Sequence, residues 1–121
     1  MSYDIIIKYN IFSDFFSIEI IIFFSDPIKV IVSPQSSQLK ANQSIDFTCS
    51  FSGVPPPVIK WYHVTPLKRM EPVTSGITTS SQQSVLHIDN LGALSAGRYL
   101  CQVFNNFDNK STSANLTVTC K

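Results

Sequence analysis

The chain of 121 residues predicts an all-β sandwich of seven or eight short strands. Three observations lead there. From Pro27 onward, apolar residues recur at every second position in short runs, the period of a strand with one buried face. Clusters of Ser, Pro, Asn and Gly separate the runs and supply turns. Nothing longer than one helical turn carries a competing 3.6-residue period. Hydrophobic residues make up 44% of the chain, enough for one core, and the length leaves room for one domain and a tail. Nine Lys and Arg against eight Asp and Glu leave a net charge of +1, which excludes the electrostatic footprint expected for nucleic acid or an anionic membrane.

Residues 1–26 form an apolar leader, dense in Ile and Phe but broken by Lys8, Asp14 and Glu19. Charges at that spacing argue against a spanning helix. The leader reads as a degenerate secretory signal or signal-anchor, with Phe15 to Phe24 as its apolar region, or as a misassigned start. The domain occupies residues 27–121. Its first strand is Ile28 to Val32, closed by Ser33-Pro34 because proline cannot donate to a ladder. Ile45, Phe47, Cys49 and Phe51 alternate with Asp46, Thr48 and Ser50, so one face is buried and the other wet. Gly53-Val54-Pro55-Pro56-Pro57 forces a turn, after which Ile59 and Trp61 share a face and Lys60 and Tyr62 take the other. Residues 64–83, rich in Ser and Thr with Pro66 and Pro72, hold only weak edge strands. Leu86 and Ile88 point one way, Leu91 follows a short turn, and Tyr99, Cys101 and Val103 alternate with Leu100, Gln102 and Phe104. Ala114, Leu116 and Val118 mark the last strand.

Cys49 and Cys101 lie far apart, outside any close metal-ligand cluster, and in a small β-type chain such a pair reads as a disulfide, with two buried free thiols as the alternative. Both fall on inward positions; Trp61 follows the first by twelve residues and Tyr99 precedes the second by two. Together these four residues resemble the core of the immunoglobulin fold. The nearest resemblance is to the intermediate set (C2-like) of immunoglobulin-like domains, over roughly residues 28 to 119. The family's Gly-x-Pro-x-Pro-x-x-x-Trp run stands here as Gly53, Pro55, Pro57 and Trp61, and its Leu-x-Ile strand as Leu86 and Ile88. Its Asp-x-Gly-x-Tyr-x-Cys stretch reads Ser95-Ala96-Gly97-Arg98-Tyr99-Leu100-Cys101. Ser95 replaces the aspartate, so the hydrogen bonding of that corner should persist in part, without charge assistance. The resemblance implies two antiparallel sheets with Greek-key connections, a disulfide between them, a tryptophan packed on it, and a tyrosine corner. Cysteine spacing favours the shorter sandwiches, so antigen-receptor function is not expected.

Catalytic constellations are missing from the sequence. His63 and His87 read as ordinary surface residues, Ser95 lies in no Gly-x-Ser-x-Gly elbow, and four glycines build no phosphate loop. No enzyme activity, cofactor, metal or small-molecule substrate is expected. Three Asn-x-Ser/Thr triplets make Asn42, Asn109 and Asn115 glycosylation candidates in a secreted chain, and Asn115 must face solvent if Leu116 and Val118 face the core; a glycan there would shield a sheet edge. The same parity turns Tyr62, Leu100 and Phe104 outward on one sheet, with Phe107 in the following loop, as candidates for binding protein or for packing on a neighbouring domain or the leader. Cys120 falls on the core-facing parity and is left over, to pair outside this chain or remain free.

The expected function is a non-catalytic adhesion or recognition module of a multi-domain protein, extracellular or at the cell surface. It would bind a cell-surface or matrix protein, a second copy of itself included, and meet a membrane only through the leader or further parts of a longer chain. Two rivals remain: an intracellular structural module of a giant muscle-type filament protein, with reduced cysteines and bare sequons, and the ectodomain of a receptor kinase-like protein.

Overall fold

A computed structural model describes residues 26–120; the leader, apart from Asp26, lies outside them. The described residues form nine strands: β1 (Asp26–Ser33), β2 (Ser36–Lys40), β3 (Ile45–Val54), β4 (Val58–Val64), β5 (Met70–Pro72), β6 (Ile77–Thr79), β7 (Gln83–Ile88), β8 (Gly97–Phe104) and β9 (Asn109–Thr119). One 3-10 turn, Ala93–Ser95, precedes β8. The strands divide into a four-stranded sheet, β1-β3-β7-β6, and a five-stranded sheet, β2-β9-β8-β4-β5. Their inner faces pack as a sandwich.

Alternation in the sequence accounts for each inner face. On β3, Phe47, Cys49 and Phe51 are buried, and across the core Trp61 on β4, Tyr99, Cys101 and Val103 on β8, and Ala114 and Leu116 on β9 meet them. Ile28 and Val32 on β1, Leu86 on β7 and Leu91 beyond it close the same core. Period two on both sheets means that every second side chain is removed from water, which is the main driving force here.

Four expectations change. The strands number nine, because β2 was not foreseen, and the sheets are not wholly antiparallel. β2 runs parallel to β9, pairing Ser36 with Asn115 through Lys40 with Thr119. Proline ends the β1 ladder at Ser33, and the chain then crosses to the other sheet, where β9 offers an open edge. Its five residues, Ser-Ser-Gln-Leu-Lys, bury little, so no hydrophobic period announces them. The sandwich begins one residue earlier than Pro27, with Asp26 paired to Val54. Cys120 follows the end of β9 and is exposed and unpaired rather than core-facing, because the strand stops at Thr119 before parity can act on it.

Candidate interaction face

The core signature forms the scaffold. Cys49 and Cys101 are joined by a disulfide across 52 positions of sequence, linking β3 of one sheet to β8 of the other. Trp61 lies directly across the ladder from Cys101, and its Nε1–H donates to Ser84 Oγ at 2.9 Å on the opposite sheet. Tyr99 is buried, its hydroxyl donates to the Ser95 carbonyl oxygen at 2.6 Å, and desolvation pushes the phenol up to about 12. Ser95 uses its own hydroxyl to accept the Gly92 N–H at 3.1 Å, tightening the 3-10 turn. The aspartate-less corner thus keeps its bonding through neutral groups. Gly97 has φ +124, and a Cβ there would collide with the Val64 carbonyl oxygen, so this position demands glycine.

His63 is a correction to the surface reading. It is half-buried opposite Tyr99, its ring stacks on the tyrosine at 4.2 Å between centroids, and its Nε2–H donates to the Ala96 carbonyl at 2.8 Å. His87 is exposed as expected but not solitary. Nδ1 stands 2.5 Å from Asp46 Oδ1 on the neighbouring strand, and Nε2 2.6 Å from Asp89 Oδ1 two residues along its own chain. The Asp46 hydrogen bond, then that of Asp89, raises the imidazole above its ordinary 6.5. Outward parity of Asp46 and His87 was readable; that β3 and β7 lie side by side in this register was not.

The outer face of the five-stranded sheet carries the four binding candidates. Register divides them. Tyr62 lies directly opposite Leu100 on β8 and Pro72 on β5, whereas Phe104 lies opposite Val58. Between the two groups runs a polar row, Lys60 opposite Gln102 opposite Ser111. Phe107 stands apart in the turn between β8 and β9, and is 57% exposed. Lys60 Nζ reaches to 5.6 Å from the centre of the Phe104 ring, a cation–π contact. Two residues missed by the sequence reading join the face: Val58, paired with Phe104, and Met70, paired with Val64 one register step beyond Tyr62 and Pro72. The alternation of Val58 with Ile59 could have revealed the first. Met70 lies where the sequence offered only a weak edge.

All three candidate asparagines are exposed. Asn42 sits in the turn between β2 and β3 with φ 71; Asn109 opens β9 opposite Phe104; Asn115 lies opposite Arg98 on one side and Ser36 on the other. The edge that a glycan on Asn115 was expected to shield is already covered by β2, because β2 pairs with β9 over that stretch. Among the described residues no group of three His, Cys, Asp or Glu is placed to hold a metal ion, and no helix is long and apolar enough to cross a membrane.

Comparison with known proteins agrees with this geometry. The family model for the Immunoglobulin I-set domain matches residues 28–118. Mouse (Mus musculus) Hemicentin-2 is 27% identical over 92 residues, covering 76% of this chain and 2% of that protein. Chicken (Gallus gallus) Cell adhesion molecule DSCAML1 is 30% identical over 84 residues, 69% of this chain and 4% of that protein. The chain therefore spans only a small part of the length of either relative. Among solved structures, the complex of titin M10 with an obscurin-like 1 Ig domain superposes with a TM-score of 0.69 at 19% identity, covering 80% of this chain and 97% of that one. A buried inter-sheet disulfide, the tryptophan beside it, the tyrosine corner and the family match together establish that this chain belongs to the immunoglobulin I-set family.

Proposed function

We propose that this chain is a non-catalytic recognition module of an extracellular or cell-surface protein that holds a protein partner on the outer face of its five-stranded sheet. The observation that carries the reading is the cross-strand row of Pro72, Tyr62 and Leu100, extended by Val64 and Met70, with Met70 58% exposed. Apolar side chains on a wet sheet face contribute nothing to the core, and aromatic residues among them suit a hot spot. The disulfide favours an oxidising compartment, and likeness to a cell adhesion molecule supports the same reading. The partner is a cell-surface or matrix protein, a second copy of this chain included. The filament-protein reading draws on the likeness to titin M10, which at 19% identity speaks for the fold alone. The receptor-kinase reading differs only in what is attached.

Expression in secretory cells, with intact mass taken after alkylation before and after reduction, tests the compartment. Secretion with Cys49 and Cys101 protected until reduction supports the reading; retention with three alkylatable thiols overturns it in favour of the filament module. Beads coated with the secreted chain then test the face on themselves and on cell monolayers. Clustering or adhesion that Leu100→Arg abolishes at unchanged Tm supports the face, and adhesion indifferent to Leu100→Arg and Tyr62→Ala removes it.

A further inference from the structure

We infer that Asn109 is an N-glycosylation site whose first sugar packs on the Val58–Phe104 end of the outer face, so that the chain's own glycan and its protein partner occupy opposite ends of one sheet. This rests on the extracellular part of the function proposed above. The Asn109-Lys110-Ser111 triplet opens β9, and Asn109 is exposed directly across from Phe104, which is directly across from Val58. Side chains so paired on one face stand about 4.5–5.5 Å apart. Val58 is 57% exposed and Phe104 half-buried, leaving apolar surface beside the asparagine. Lys60 approaches the ring from β4, while Asn109 stands on the β9 flank. Gln102 Nε2 donates to Asn109 Oδ1 at 3.2 Å, which orients the amide and leaves Nδ2 as the atom to be glycosylated.

In the transfer, Asn109 Nδ2 attacks C1 of the first N-acetylglucosamine of a lipid-pyrophosphate-linked oligosaccharide. The C1–O bond breaks with its electron pair leaving on the pyrophosphate, the N–C1 bond forms, and Nδ2 gives up one proton. The C–H face of the sugar then meets an aromatic ring whose negative face attracts C–H groups, and Val58 loses exposure. Asn115 lacks this arrangement. Its neighbours are Arg98 and Ser36, and Asn42 occupies a turn, so glycans there have no ring directly across the ladder. The Lys60–Gln102–Ser111 row keeps the Asn109 sugar clear of Tyr62 and Leu100.

The experiment uses residues 1–121 secreted from cells, once from the chain's own N-terminus and once behind an added cleavable signal. Failure of the first route alone counts against the extracellular reading and leaves this inference to the second. Glycopeptide mass spectrometry should find Asn109 occupied. Trimming every glycan to a single sugar should leave Tm unchanged, whereas Ser111→Ala and Asn109→Gln should each lower Tm by about 4 °C or more. Thr117→Ala, which removes the Asn115 sequon, should not. In a Phe104→Ser background the loss on Ser111→Ala should vanish. An unoccupied Asn109 in the secreted protein, a Tm indifferent to Ser111→Ala, or an undiminished loss in the Phe104→Ser background would each overturn the inference.

Discussion

Ser84→Ala removes a single oxygen from the core, and its cost follows from where that oxygen sits. Ser84 is fully buried on β7, directly across from Cys49, as Trp61 is across from Cys101. The 2.9 Å bond from Trp61 Nε1 to Ser84 Oγ therefore joins the two sheets beside the disulfide. The serine hydroxyl also lies 2.9 Å from Thr79 Oγ1, but Thr79 is exposed and can turn to water at little cost. Trp61 cannot. The alanine variant opens too little space for a water molecule, so the indole N–H is left facing an apolar wall. An unpaired buried donor costs about 1–3 kcal/mol. A loss of about 2 kcal/mol corresponds to a fall of about 8–16 °C in Tm for a domain of this size. Urea unfolding followed by the fluorescence of Trp61, the chain's single tryptophan, should give a lower midpoint with an unchanged slope. The decisive comparison is a double-mutant cycle read by circular dichroism. In a Trp61→Phe background no N–H remains to be orphaned, and Ser84→Ala should cost less than about 0.5 kcal/mol. Equal costs in the two backgrounds, or a cost near zero in the wild type, would refute the inter-sheet hydrogen bond as a determinant of stability.

Reduction of the Cys49–Cys101 bond, or its double replacement by alanine, reopens a loop of 52 positions and should cost about 4 kcal/mol in the chain-entropy account; denaturant titration under reducing conditions measures it, and a change below about 1 kcal/mol would contradict that account. Gly97→Ala forces a side chain onto φ +124 against the Val64 carbonyl and should destabilise by at least about 2 kcal/mol, whereas Gly92→Ala, where a Cβ meets nothing within 4 Å, should be nearly silent in the same thermal melt. His87 gives a pH signature. Its folded value is raised by the hydrogen bonds to Asp46 and then Asp89, so its stabilising contribution is complete below about pH 6.5 and is lost as pH rises through the raised folded value. The difference in Tm between wild type and His87→Gln should shrink as pH climbs from about 5 to about 8, and a difference that grows with pH would show that the carboxylates do not hold the imidazolium.

Period-two alternation is a local property, and what rests on it was legible in the sequence. The inward set of Phe47, Cys49, Phe51, Trp61, Tyr99, Cys101, Val103, Ala114 and Leu116 follows from counting by twos, because a strand has no other way to bury one face. Cys49, Trp61, Tyr99 and Cys101 then brought the fold with them. Register is not local. Which residue of β4 faces which residue of β8 depends on how two distant segments slide past each other, and that alone separates Tyr62 and Leu100 from Phe104 by a polar row and sets Phe104 against Asn109. Edge strands carry the weakest signal because they bury least, so β2 went unread and Met70 was not assigned to the face. The contacts of His63 and His87 arise the same way, with Tyr99, Asp46 and Ala96 lying tens of residues away along the chain and beside them only once the sheets have formed. The sequence by itself determined which side of each strand is wet. Only the tertiary structure decided what stands next to what on that wet side, because neighbours across a ladder are chosen by the packing of the opposite face.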